Sequence, residues 1–272
     1  MIGRMPAPDP TRLADPAGTL LALDFDGTLS HVVDDPTQAY AHQESIDALA
    51  RLAPVLRGLA IVTGRPVRQA LELGRFSGRE EFGQLLVRGQ YGAERWDAAT
   101  GRLDEPGRPE GVTALADRLP AWLAEHDASH VRLEDKGLAI ALHTRGIDPD
   151  LLARLDGPLR ELARHVGLTV EPGRQVVELR APGSDKGVAI RALVEELAPR
   201  HVVYAGDDLG DLPAFQALAE LRDTGRIGAT LVCSASGEQD ALVAISDLVL
   251  DGPDAVAAWL TSLADATTGA PA

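Results

Sequence analysis

Cysteine is almost missing from this chain, lysine occurs only at Lys136 and Lys186, and aromatic residues make up 4% of it. With Cys233 alone no internal disulfide can form, and a single thiol inside an apolar run reads as packing rather than as a nucleophile. No stretch approaches the ~18 consecutive apolar residues of a membrane helix. The opening segment Met1–Pro16 carries four prolines and no apolar core run, so it is not a secretory signal. Residues 1–17 are therefore expected to form a flexible tail on a cytoplasmic protein. Positive charge is in deficit too: the net formal charge is -15. That argues against nucleic acid or an anionic membrane as partner. If such a protein handles a phosphate, the positive charge must be supplied locally, by a metal, Lys, Arg or helix N-termini. A monomer acting on a small molecule is expected.

What is present suits a folded α/β protein. The 272 residues are 45% hydrophobic and 25% charged, enough for one large domain or two smaller ones. Short apolar runs predict strands over Leu20–Asp24, Leu59–Thr63, Leu85–Arg88, His201–Ala205, Thr230–Cys233 and Leu248–Leu250. Amphipathic stretches predict helices over Glu44–Leu56, Val67–Leu73, Gly187–Leu197, Leu212–Leu221 and Asp254–Leu263, with Thr267–Ala272 frayed. Strand alternating with helix implies a parallel sheet. The middle follows another pattern. A helix over Glu110–Glu125 precedes a hairpin turning at Asp135-Lys136-Gly137. A helix over Leu151–Val166 precedes a second hairpin turning at Pro172-Gly173. Prolines flank this block, so residues 108–182 are expected to be an α+β domain inserted into a core of 18–107 and 183–272.

The chemistry concentrates at strand ends. Asp24-Phe25-Asp26-Gly27-Thr28-Leu29 follows an apolar run, and residues i and i+2 of a strand share a side. Two carboxylates so placed need a cation or a shared proton, which indicates a metal site, an acid/base pair, or both. Thr63-Gly64-Arg65 ends a second strand; Thr63 there either binds a phosphate oxygen or caps the next helix. In a chain that otherwise uses Arg, Lys186 in Gly183-Ser184-Asp185-Lys186-Gly187 puts a compact ammonium at a helix start. The glycine spacing is not that of a Walker A loop, and no GxGxxG follows the first strand. Asp207, Asp208 and Asp211 follow His201–Gly206; three acids in five residues fit a hard cation such as Mg²⁺, or else a helix N-terminus rich in Asp. Ligands of open parallel sheets bind at such ends.

The order DxDGTL, a strand ending in Thr, Lys, and then GDDxxxD resembles the haloacid dehalogenase-like phosphatases. Within them the chain is most similar to the trehalose-phosphatase group, through Gly89–Glu94, Glu134–Gly137, Ala141–Arg145 and Val176–Arg180. It carries Gln90-Tyr91-Gly92 where relatives commonly show Asn-His-Gly. The resemblance implies a Rossmann-like parallel-sheet core with an inserted cap of the C2 type. It implies that Asp24 is the nucleophile, Asp26 the general acid and base, and that Thr63 and Lys186 hold the phosphate. Mg²⁺ would lie among Asp24, the Asp26 carbonyl and Asp207, with Asp208 or Asp211 direct or through water. A sugar phosphate would be read by Gly64, Arg65, Gln90, Lys136, His143, Arg145 and Glu178; Lys136, Arg145, Glu178 and Gln90 are alternatively plain surface groups of a hairpin or core edge, and His143 a half-buried polar residue. The substrate implied is trehalose 6-phosphate. Another sugar phosphate (a glycosyl-phosphoglycerate or a pseudo-disaccharide phosphate) and a non-catalytic sugar-phosphate sensor are the alternatives.

Overall fold

The computed structural model describes residues 12–144, 146–173, 176–235 and 240–269. Two compact units emerge, one of Met1–Asp104 with Asp185–Ala272, the other of Glu105–Ser184. The first begins β1 (Thr19–Leu23), α1 (Gln43–Leu52), β2 (Gly58–Val62), α2 (Val67–Leu73), β3 (Leu85–Gly89), β4 (Glu94–Asp97) and β5 (Arg102–Asp104). The second holds α3 (Glu110–Glu125), β6 (Arg132–Asp135), β7 (Ala139–His143), α4 (Pro149–His165), β8 (Thr169–Gly173) and β9 (Val176–Arg180). The first unit resumes with α5 (Lys186–Leu197), β10 (His201–Gly206), α6 (Leu212–Asp223), β11 (Gly228–Ser234), α7 (Asp240–Val243), β12 (Leu248–Leu250) and α8 (Gly252–Thr268).

The eight strands of the first unit lie in the order β12-β11-β10-β1-β2-β3-β4-β5, parallel except for β4 and β5. Every residue of β1 is buried, as a central strand covered on both faces requires. Its side chains alternate between two cores: Leu21 and Leu23 pack with α1, α2 and α8, whereas Leu20 and Ala22 pack with α5 and α6. Cys233 is fully buried in the second of these cores, and burial pushes its thiol up to about 11, as a packing residue should show.

In the second unit the antiparallel order is β6-β7-β9-β8. Ile140, Leu142 and Leu179 face α3 and α4, packing on Leu115, Leu119, Leu155 and Leu159. The register pairs Glu134 with Ala141, Ala141 with Glu178, and Glu178 with Glu171. Period-2 alternation thus places Glu134, His143 and Glu178 together on the face turned away from the helices.

Several expectations are corrected. The tail was expected to reach residue 17, yet Pro16–Gly18 form a 3-10 turn, Leu13 is buried, and Asp15 pairs with Arg200. The helix expected over Glu44–Leu56 stops at Leu52 and tightens into a 3-10 turn at Ala53–Val55, where Pro54 supplies no N–H for an α-type bond. Strands β4 and β5 were not foreseen, because Glu-Arg-Trp-Asp and Arg-Leu-Asp lack an apolar run. The C-terminal helix runs on to Thr268 instead of fraying from Thr267. Thr267 and Thr268 donate back to Leu263 and Ala264 carbonyls, and Gly269 at φ 70 closes the end. Pro172 and Gly173 pair within β8 rather than turning; on an edge strand Pro172 needs no ladder N–H.

Candidate active site

Because β1 pairs with β10 in parallel, with Leu23 opposite Ala205, the two strands release Asp24 and Asp207 side by side. The Asp24 N–H still donates to the Ala205 carbonyl at 2.8 Å, which fixes its position one residue past the strand. Gly27 then turns with φ 74, and a Cβ there would stand 2.0 Å from the Asp207 carboxylate. Only glycine allows that approach. The Gly27 carbonyl accepts from Ser234 Oγ at 2.6 Å, tying the turn to the end of β11.

Lys186, the first residue of α5, is 3% exposed, and its Nζ lies 2.7 Å from Asp24 Oδ1 and 2.7 Å from Asp211 Oδ1. Carboxylate oxygens of Asp24, Asp207 and Asp211 all lie within 4.8 Å of one another. Residues far apart in sequence therefore converge, as strand-end placement predicted. Asp211 is fully buried and saturated: Oδ1 accepts from Lys186 and from Tyr204 Oη at 2.6 Å, and Oδ2 from the N–H groups of Asp207 and Asp208 at 3.1 and 3.2 Å. All its lone-pair positions are engaged. Asp208, half-buried, accepts from the Gly210 N–H at 2.8 Å.

The charges do not balance. Burial, then repulsion from Asp211, holds the Asp24 carboxyl well above the usual range despite Lys186. Burial, then Asp208, Asp24 and Asp211, does the same to Asp207. For Lys186 burial works against the charge, but Asp211 and Asp24 outweigh it and hold the ammonium well above an ordinary lysine. Three buried carboxylates against one ammonium leave a deficit of two positive charges. An oxygen-only donor set with that deficit fits a hard divalent cation.

Asp26 has a different environment. Its side chain is 37% exposed, and Arg65 grips it with Nε to Oδ2 and Nη2 to Oδ1, both 2.6 Å. The Arg65 Nη1 donates to the Pro36 carbonyl at 2.9 Å, and the guanidinium carbon lies 5.6 Å from the Phe25 ring centre. Arg65 was expected to meet substrate; its side chain is instead 8% exposed and turned onto Asp26. Thr63 is buried, and its Oγ1 accepts the Arg65 N–H at 3.1 Å. It does not cap α2, whose N-cap is Pro66. Gly64 packs against Tyr91, since a Cβ on it would stand 2.8 Å from the phenol oxygen. Tyr91 itself has φ 59 and follows Gln90 at φ 44, two successive non-glycine residues in the left-handed region. Gln90 is buried and donates to Glu94 Oε1 at 2.5 Å, while Glu94 Oε2 takes the Val67 N–H at 2.6 Å.

In the second unit Lys136 Nζ pairs with Glu178 Oε1, and Glu178 is 2% exposed. The other oxygen, Glu178 Oε2, is buried with no hydrogen-bond partner among the described residues. His143 Nε2 lies 2.8 Å from Glu134 Oε2. Arg145 lies outside the described residues. Tyr204, Glu94 and Ser234 were missed by sequence reasoning. Tyr204 had a usable signal: a phenol in an apolar central strand must find a buried partner, and the acids of the same strand end were at hand to supply one.

A family model described as trehalose-phosphatase matches residues 22–94 and 123–246. The chain is 34% identical over 216 residues to a Mycobacterium tuberculosis protein described as an uncharacterized glycosyl hydrolase, a match covering 72% of this chain and 15% of that one. It is 31% identical over 203 residues to a trehalose-phosphate phosphatase of Mycobacterium marinum, covering 72% of this chain and 50% of the relative. The chain thus spans half or less of the length of these relatives. Among solved structures, the C-terminal domain of a trehalose-6-phosphate phosphatase from C. albicans matches with TM-score 0.73 and 20% identity, covering 92% of each chain. At that identity the likeness is one of fold.

Proposed function

The chain belongs to the trehalose-phosphatase family, and from that premise we propose that it hydrolyses trehalose 6-phosphate to trehalose and phosphate through a phosphorylated Asp24. The observation that carries this reading is the joint contact of Lys186 with Asp24 and Asp211, beside Asp207. Asp24 attacks phosphorus as the bond to the sugar oxygen breaks, the covalent strategy open to a carboxylate. Asp26 gives a proton to the departing oxygen and later takes one from the water that attacks the aspartyl-phosphate. Lys186 and Thr63 bind phosphoryl oxygens, and the buried setting strengthens each of these interactions. Mg²⁺ would be held by Asp24, Asp207 and the Asp26 carbonyl, with Asp208 close by; Asp211, already saturated, orients Lys186 and the loop of Asp207 and Asp208. When bound, that ion supplies the missing positive charge, which keeps Asp24 ionised and screens the phosphoryl group.

We assign recognition of the sugar to the second unit, to Lys136, Glu178 and His143. Support comes from Glu178 Oε2, a buried acceptor without a donor among the described residues, which a sugar hydroxyl would satisfy. Glycosyl-phosphoglycerate, pseudo-disaccharide phosphates and trehalose 6-phosphate should be assayed for phosphate release, with Mg²⁺ and again with a chelator. Release from trehalose 6-phosphate with Mg²⁺, lost in chelator, is the expected result. Preference for another sugar phosphate would move the substrate assignment, and no release from any ester would leave only a binding protein.

A further inference from the structure

Arg65 offers five N–H donors in a planar fork, and the structure commits three of them: two to Asp26 and one to Pro36. The group is nearly sealed from solvent, lies over Phe25, and is anchored by its own main chain, whose N–H donates to Thr63 and whose carbonyl accepts from Gln90. A buried side chain so tethered is poorly placed to chase a substrate. It is well placed to fix the plane of one carboxylate. Pro36 lies in the excursion between Ser30 and Ala41, which is closed by a bridge between those two residues. The same guanidinium therefore ties Asp26 to the stretch of chain that follows the Asp24–Leu29 motif.

We propose that Arg65 is a positioning residue for the proton-transfer step: its fork holds Asp26 in the one orientation from which the carboxyl serves the departing oxygen. This rests on the phosphatase reading above and goes beyond it in assigning Arg65 to the acid rather than to the phosphate or the sugar. A proton donor matters in proportion to how poor the leaving group is. A sugar alkoxide must be protonated as it departs, whereas a nitrophenolate leaves unaided. A residue that binds phosphate, or merely holds the fold together, affects both substrates alike.

The test compares KM and the first-turnover rate of leaving-group release, which isolates the step in which Asp26 is the acid, for trehalose 6-phosphate and p-nitrophenyl phosphate, with Mg²⁺, in the wild type, Asp26→Asn, Arg65→Met, Arg65→Lys and the double variant Asp26→Asn/Arg65→Met. Removing the acid should cost about 10²–10⁴-fold in that rate on the sugar phosphate, and Arg65→Met should lose most of that factor with KM little changed. On the aryl ester both variants should keep that first-turnover rate within about tenfold of wild type, while the later hydrolysis of the aspartyl-phosphate, for which Asp26 is the base, slows for either ester. The double variant should be no slower than Asp26→Asn alone, since residues acting as a unit are non-additive. Arg65→Lys keeps the charge without the fork and should remain impaired on the sugar ester. Equal losses of first-turnover leaving-group release on the two substrates, multiplying losses in the double variant, or full recovery with Arg65→Lys would each overturn the assignment. Should Arg65→Met not fold, the Arg65→Lys comparison of the two esters decides in the same way. Failure of the phosphatase reading itself shows separately, as a wild type that cleaves neither ester or an Asp24→Asn protein that cleaves both.

Discussion

Replacing Lys186 by Met removes the one cation among the described residues that touches both Asp24 and Asp211, while keeping most of the side-chain volume. Both contacts are 2.7 Å and all three side chains are at most 5% exposed, so solvent cannot replace the lost charge. Deleting one partner of a buried ion pair costs ~3–5 kcal/mol, because the remaining charge is stranded. At ~2–4 °C per kcal/mol for chains near this size, the melting temperature should fall by about 6–20 °C near neutral pH in chelator. Acid should narrow the gap. Asp24 already sits well above the ordinary carboxylate range, and without Lys186 it takes up its proton more readily still; a protonated carboxyl no longer misses its counter-charge. Melting curves of wild type and Lys186→Met, followed by near-UV circular dichroism from about pH 5 to pH 8, measure both the size and the trend. A variant melting within a degree or two of wild type at pH 8, or one whose deficit grows on acidification, would refute the buried-network argument.

Tyr204→Phe keeps the ring that meets Phe215 edge-on and deletes only the hydroxyl on Asp211; a hydrogen bond to a charged group contributes ~1.5–3 kcal/mol. Chemical denaturation should show a loss of that size, and a neutral result would mean that the phenol does not support Asp211. Asp207 sits above the usual carboxylate range, so the stability it contributes is complete below about pH 3.9, where an unfolded Asp titrates, and is lost as pH rises through its folded-state value. In chelator, Asp207→Asn should accordingly gain on wild type as pH rises from 5 to 8. Mg²⁺ at 100-fold its Kd should stabilise wild type by ~2.7 kcal/mol and the variant far less; equal stabilisation of both would exclude Asp207 as a ligand. Glu178→Ala should depress turnover of the sugar phosphate roughly 10–100-fold, the scale of a few kcal/mol for a charged hydrogen-bond partner, and leave the aryl ester unaffected; equal losses would count against sugar recognition.

The core strands were readable because burial on both faces writes continuous apolar runs, as in Leu20–Leu23 and Val202–Ala205. Strands β4 and β5 were not, since Glu94–Asp97 and Arg102–Asp104 are held by pairing to β3 at a sheet edge and carry no apolar signature of their own. The convergence of Asp24, Asp207, Asp211 and Lys186 was legible from parallel topology, which brings strand ends together whatever separates them in sequence. Side-chain direction was not legible. Arg65 follows Thr63-Gly64 just where a substrate contact would be sought, and only the packed structure shows its guanidinium turned onto Asp26. Likewise the motif leaves Asp208 or Asp211 beside the ion, directly or through water, and only the packed structure shows that Asp211 accepts from Lys186, Tyr204 and two main-chain N–H groups.

The stereochemical course at phosphorus bears most directly on the whole reading. With trehalose 6-thiophosphate made chiral by ¹⁶O and ¹⁸O on phosphorus and cleaved in ¹⁷O water, transfer first to a protein carboxylate and then to water entails two in-line displacements and returns thiophosphate of retained configuration. A single displacement by water, seen as inversion, would show that Asp24 never carries the phosphoryl group.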